Sequence, residues 1–562
     1  MTRRALGIAS AAYPLGVAVF AAFAVWTSAS EHFEHLFADD WVILAQRGEQ
    51  SFARWLIASH NGHLIPLTRL LLHADLEWLA GRGTLPTAVG LLATGAAAAL
   101  LWLTLRASGI ERASLRWTVG AFLALCLIYG GLVYGLLWGF AAHAPVMAAW
   151  LALSIGALIA WAVEDPPRPR VWLVWLAFVG AFGASLACAT GVGAWAALLA
   201  IAIAARLPLR VHAAIVVSAL VCALLLAAAL QREPAADLLS PWLGHPVVFA
   251  RFLLRYLGTP LAWPAESWLG VSEAARTNVA FAAGAIGMAG YLAHLAQRIR
   301  AGRMAETAGL LGIALMTFGV AAAAATAIGR AGAFQPVNHR FTPFALLFWM
   351  GGAVALAAPA GASRWRACVQ HALLLVLPVA SLLLLHSLGP RLDHHRERRV
   401  KIARYTLMLV VGIRGDGIAY ALSNGKRATD VLASLPGLEA RGHGPFRDPR
   451  RTLLGGPVAA AGIAGEPSPC EGEIRQRRKL SGRQGRGEEV EGVLDAAPGR
   501  TLPTSLVIAD AKGVIRGLGD VLAPQAAQAE WYAVSSARLD RRSRVYAVFE
   551  NGSACEFEVP PR

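Results

Sequence analysis

The chain is punctuated by apolar runs of about 20 residues with short arginine clusters between them, and this pattern limits the fold more than any other feature. A helix needs roughly 20 apolar residues to cross the hydrocarbon core of a bilayer. Backbone amides inside lipid must find partners within their own segment, so each such run is expected to be helical. The runs fall at about 9–29, 85–105, 117–136, 144–163, 171–188, 190–205, 211–230, 277–297, 307–328, 342–360 and 367–388. Composition agrees: 15% of residues are charged, against about 25% in ordinary soluble domains. Hydrophobic residues make up 56% and the mean hydropathy is +0.51. The expected fold class is an α-helical polytopic membrane protein of about eleven transmembrane helices.

The arginines give this pattern a direction. Arg3 and Arg4 precede the first run, which places the N-terminus in the cytoplasm. Alternation then puts Arg106, Arg112 and Arg116 inside, followed by Arg168 and Arg170, Arg206 and Arg210, then Arg298, Arg300 and Arg303, and finally Arg364 and Arg366. Each even-numbered connection carries such a cluster, as the positive-inside bias requires. The net charge of +16 is therefore read as loop charge and not as a nucleic-acid surface. The first run, ending in "TSAS", is read as an uncleaved signal anchor in preference to a cleaved secretory signal, because its apolar part is long.

An odd number of spans leaves the C-terminus outside, periplasmic in a bacterium with two membranes. The expected division is a transmembrane domain at 1–390, with a first outer loop at 30–84, a helical linker at 391–449 and a β-rich domain at 450–562. Runs such as "SRVYAVFENGSACEFEV" place β-formers around an Asn-Gly turn. Cys470 and Cys555 lie in this tail. In an oxidising compartment they form either a disulfide or two free thiols, and the bridge is the preferred reading.

With sides assigned, the unusual polar residues gather on the outer side. The first outer loop holds "FADDWVILAQ", with Asp39 and Asp40, and then "SHNGHLIPLTRLLLHADLEW", with His60, Asn61 and His63. The acidic pair suits a general base or a hard-cation site, Mg or Mn, or else a solvated helix start. The His60 segment reads as helical, which would place His60 and His63 on one face, suited to ligating a metal or equally to binding a phosphate or sugar. The next outer turn, "LLWGFAAH", supplies Trp138 and His143. The region 231–276 is read as an outer loop containing Trp242, Trp263 and Trp268, either a membrane-interface belt or stacking surfaces for a sugar. The last outer loop, "GRAGAFQPVNHRF", supplies Arg330, Asn338, His339 and Arg340. Guanidinium forks match phosphate oxygens, and arginines on the outer side run against the positive-inside bias; the alternative is that they snorkel to outer-leaflet headgroups.

The order "ADDW", "HNGH", "LLWGF", "GRAG…NHRF" resembles the GT-C superfamily of membrane glycosyltransferases and a related group of bacterial polytopic proteins. That group commonly has an acid where this chain has Gly62, and Tyr where it has Phe341. The resemblance covers about residues 10–390. It implies transfer of a sugar from a polyprenyl-phosphate donor to a glycan, lipid or protein acceptor on the outer side of the membrane. It also implies that the base or metal role falls on Asp40 or Asp39. Two other readings are a transporter or lipid flippase, and a non-enzymatic assembly protein of envelope polysaccharide. A transporter would be expected to carry charges near span midpoints, whereas here the spans are nearly free of charge.

Overall fold

The computed structural model describes residues 3–60, 63–163, 170–230, 245–301, 306–330, 337–358, 364–425, 428–463, 465–481, 486–495, 501–522 and 528–560. The helices follow the apolar runs closely. They are α1 (Arg3–Glu31), α2 (Asp39–Glu49), α3 (Phe52–Leu56), α4 (Pro66–Leu79), α5 (Thr84–Arg106), α6 (Ala113–Tyr134), α7 (His143–Ala162), α8 (Val171–Ala187), α9 (Gly193–Ala204) and α10 (Leu209–Leu230). They continue as α11 (Pro246–Leu269), α12 (Glu273–Ala301), α13 (Thr307–Arg330), α14 (Thr342–Ala357), α15 (Arg364–Val410), α16 (Asp416–Leu422) and α17 (Ala428–Arg441). Among the described residues, nine helices are long and apolar enough to cross a membrane. The runs at 171–188 and 190–205 become two shorter apolar helices, Val171–Ala187 and Ala189–Ala204. The apolar helices are consistent with a bilayer as solvent.

Two sequence expectations change. The region read as a fourth outer loop contains α11, a helix of 24 residues with Pro260 and Pro264 inside it. Those prolines, and the polar residues around them, hid the helix from a reading by composition. Packing stabilises it instead. A Cβ added at Gly258 would lie 1.8 Å from the Ala280 carbonyl oxygen, and one at Gly284 would lie 1.8 Å from the Leu254 carbonyl oxygen. The backbones of α11 and α12 thus meet at two glycines, the close approach that small residues permit between apolar helices. The second change is at His60. Two short strands, β1 (Ser59–His60) and β2 (His63–Leu64), pair antiparallel, with His60 and His63 as register partners. Helix begins only at Pro66, whose fixed φ suits a first turn.

The chain divides into two compact units. The first comprises Met1–His32, Phe52–His73 and Gly83–His395; the second comprises Phe33–Ser51, Ala74–Arg82 and Arg396–Arg562. In the first unit α15 is fixed by hydroxyl pairs: Tyr13 with Ser381 at 2.6 Å and Tyr129 with Ser387 at 2.8 Å. Such pairs satisfy polar groups that apolar surroundings would otherwise penalise. These contacts set where Arg391, one turn further along the same helix, emerges.

The second unit contains a sheet of eight strands, β3 (Ser468–Pro469), β4 (Gly472–Ser481), β5 (Arg486–Asp495), β6 (Ser505–Ala509), β7 (Ile515–Val521), β8 (Gln528–Ser535), β9 (Arg544–Val548) and β10 (Ala554–Glu558). Their spatial order is β3-β10-β9-β6-β7-β8-β5-β4. All neighbours are antiparallel except β3 and β10. Val490, Leu506, Ile508, Trp531, Val545 and Phe557 form its core. A Cys470–Cys555 disulfide ties β10 to the residue following β3. A cation network holds the segment before the sheet: Arg450 binds Asp448 at 2.7 Å and Asp520 at 2.6 Å, and Tyr532 donates to Asp520 at 3.1 Å.

Candidate functional site

The polar residues singled out in the sequence separate into three groups. Asp39 and Asp40 open α2 in the second unit. Ala38 precedes them with φ 50, a left-handed conformation that costs a non-glycine residue energy. The Asp40 side chain braces this turn: its Oδ2 accepts from the Phe37 amide at 3.0 Å, and Asp40 itself is buried. The Trp41 indole donates to the Leu36 carbonyl at 2.9 Å across the same turn. Two carboxylates in a first turn also complement the helix dipole. The pair therefore has a structural duty at the start of the helix.

The second group lies in the first unit. His60 is buried and its ring packs at 5.4 Å from Phe140. Trp138 and His143 pack on the same Phe140 at 5.1 and 5.2 Å. The structure thus brings together His60, Trp138 and His143 around a phenylalanine that sequence reading passed over. Asn61 lies outside the described residues, and so does the side chain of His63.

The third group, also in the first unit, is the most distinctive chemically. Its centre is Trp263 of α11, which is 3% exposed. His339, on the short turn before α14, stacks on the indole with ring centroids 3.4 Å apart. Arg276 of α12 and Arg391 of α15 place their guanidinium carbons 4.5 and 4.3 Å from the same ring centroid. Glu266, one turn beyond Trp263, pairs with Arg276 at 2.7 Å. Asn338 caps the turn carrying His339 by accepting from the Arg340 amide at 3.2 Å. The cluster therefore holds two guanidiniums and an imidazole against two carboxylates, since Glu273 also lies 3.6 Å from Arg276. Each of the four cluster residues also buries a nitrogen without a hydrogen-bond partner: Trp263 Nε1, Arg276 Nε, His339 Nδ1 and Arg391 Nε. Buried nitrogens are normally satisfied, so such a group is suited to receive oxygens from a ligand.

Of the last sequence motif, His339 joins this cluster, while Asn338 serves as a cap and Arg340 lies half-buried beside it. The Arg330 side chain falls outside the described residues. Arg276 and Arg391 were not singled out in the sequence, being short of an obvious motif. The available signal was their position just beyond apolar or helix-start segments, in "SEAARTN" and "LGPRLDHH". Among the described residues no three His, Cys, Asp or Glu gather to hold a metal ion. No protein-family model, curated protein or solved structure matches this chain.

Proposed function

We propose that the protein is a membrane glycosyltransferase that takes a sugar from a polyprenyl-phosphate donor and passes it to a glycan, lipid or protein acceptor. The observation that carries this reading is the Trp263 cluster. A lipid-linked sugar phosphate presents an anion and a sugar ring next to an apolar tail. Two guanidiniums and an imidazole suit the anion, and the surrounding apolar helices suit the tail. In this reading Arg276, Arg391 and His339 hold the donor phosphate and stabilise the charge that grows on it as the glycosidic bond breaks. The resemblance of the "ADDW" motif, in the second unit, gives the role of acceptor base to Asp40 or its neighbour Asp39. The Cys470–Cys555 bridge supports an extracytoplasmic position for the C-terminal unit, since such bonds persist in oxidising compartments. The inner membrane of a bacterium, with the N-terminus cytoplasmic, is the matching location.

The test is transfer from a labelled polyprenyl-phospho-sugar by the purified full chain in lipid nanodiscs. Arg276→Gln and Arg391→Gln should each lower transfer at least about tenfold, or 1.4 kcal/mol of barrier. Asp40→Asn keeps an oxygen for the Phe37 amide but removes the base, so it separates the structural duty from the chemical one. Undiminished transfer in both arginine variants would sink the phosphate assignment. Donor movement across the bilayer without transfer would favour a flippase.

A further inference from the structure

The sheet of the second unit ends on a long strand that has a neighbour on one side only. β4 (Gly472–Ser481) pairs antiparallel with β5, and β3, at the opposite end of the order, pairs with β10. Among the described residues no backbone hydrogen bond reaches β4 between Glu473 and Ser481 from the side away from β5. Alternate residues of a strand turn their N–H and C=O groups to opposite sides, so about half of these groups face away from β5. A row of this kind is a template for a further strand.

Charge decides which strand would fit. β4 reads "GEIRQRRKLS", and Arg475, Gln476, Arg478 and Lys479 are exposed. Two of its arginines are anchored to the sheet. Arg477 donates to Glu488 at 2.9 Å, to the Pro560 carbonyl at 2.9 Å and to the Leu539 carbonyl. Arg478 donates to Glu489 at 3.0 Å, and both glutamates are fully buried. The other two cations are weakly engaged. Arg475 meets Glu473 at 3.1 Å in an exposed pair, the kind that contributes little. Lys479 stands opposite Glu488 in register, but that carboxylate is held by Arg477.

Leu539 belongs to the turn between β8 and β9, so Arg477 ties that turn to β4. The turn adds Arg538, Arg541 and Arg542, all exposed. Its one acid, Asp540, accepts from the Arg542 and Ser543 amides at 2.9 and 2.8 Å. The open edge therefore lies within a basic surface. A second copy of β4 laid against the first would set cations opposite cations, which destabilises a strand pair. Any polyanion would suit the charge, but an extended peptide also meets the backbone groups of the edge.

We propose that the open edge of β4 binds an acidic, extended peptide segment of a partner protein, which adds to the sheet as a further strand. The β4 backbone supplies the ladder. Arg475, Lys479 and the arginines of the β8–β9 turn select Asp and Glu side chains. The surface belongs to the second unit and does not depend on the donor-phosphate reading.

The experiment titrates the full chain, in nanodiscs of neutral phosphatidylcholine, with a short fluorescein-labelled peptide of alternating Glu and Val. Anisotropy reports binding, and amide hydrogen exchange reports its place. The expected result is saturable binding that slows exchange in β4 and weakens as salt rises from about 0.1 to 1 M. Methylating every backbone amide of the peptide keeps its charge and removes its donors, and should weaken binding at least tenfold. The double variant Arg475→Glu, Lys479→Glu should lose at least tenfold as well. Both side chains are exposed, and unchanged exchange in β5 to β9 would show that the variant is folded. Lack of binding, or binding without protection of β4, would overturn the proposal. Equal binding of the methylated peptide would also overturn it, and would point to a surface for polyanions such as an acidic polysaccharide. So would unchanged affinity in the double variant.

Discussion

Replacing Arg391 by Met should stabilise the protein and, on the proposed donor-phosphate reading, weaken binding of a lipid phosphate. Met keeps most of the side-chain volume and removes the charge. In the structure Arg391 and Arg276 both approach the Trp263 ring, at 4.3 and 4.5 Å, while only Arg276 has a carboxylate at 2.7 Å. Two like charges near one ring repel, and the buried Arg391 Nε has no acceptor. Leaving a buried polar nitrogen unmet costs about 1–3 kcal/mol. Against this stands a cation–π attraction of about 0.5–2 kcal/mol. Arg391 remains partly exposed, so the net gain on its removal should be about 1 kcal/mol. The loss on the ligand side is larger. A phosphate charge about 5 Å from the guanidinium gains about 3 kcal/mol at an effective dielectric of 20, and screening leaves roughly half of that, a tenfold to thirtyfold weaker affinity. The assay is thermal unfolding in nanodiscs with and without polyprenyl phosphate. A ligand at 100 times its Kd stabilises the native state by about 2.7 kcal/mol, and a thirtyfold weaker one by under 1 kcal/mol. The variant should therefore melt higher without ligand and shift less with it. If it melts lower and its ligand shift is unchanged, Arg391 is structural and the reasoning fails.

Other perturbations probe each unit by itself. Burial lowers the His35 pKa to about 4, and the Arg447 guanidinium adds to the shift. The native state therefore favours the neutral ring, so the unfolded chain binds more protons between about pH 6.5 and 4. This stability is fully present above pH 6.5 and is lost as pH falls towards 4, amounting to about 2 kcal/mol for a ring still partly exposed. Unfolding of the second unit followed over that window should show the loss, and His35→Gln should flatten it; equal slopes would refute the assignment. Reducing the Cys470–Cys555 bridge opens a crosslink spanning 85 residues. The chain-entropy estimate is about 4.6 kcal/mol, an upper figure for the fall in stability measured by denaturant unfolding of the reduced full chain. Gly258→Ala should force α11 and α12 apart at the Ala280 carbonyl and cost about 1–3 kcal/mol. Wild-type thermal stability of that variant in nanodiscs would show that the two helices do not meet there.

The sequence alone set the helical framework and the position of most apolar helices. Length and continuous hydrophobicity are local properties, and lipid-like surroundings leave an apolar run no conformation but helix. It also marked the β-forming tail, where Asn-Gly and alternation are local signals. Helix α11 was not legible because Pro260 and Pro264 argue locally for a loop, and only the glycine contact with α12 outweighs them. The same reason explains the functional residues. "ADDW" drew the eye because two acids stand together, yet the folded chain uses Asp40 to hold the strained turn at Ala38. Arg276 and Arg391 stand in unremarkable local sequence. They acquire chemistry only when helices distant in the chain set them against Trp263, since ring contacts act over a few ångströms in space and not along the sequence.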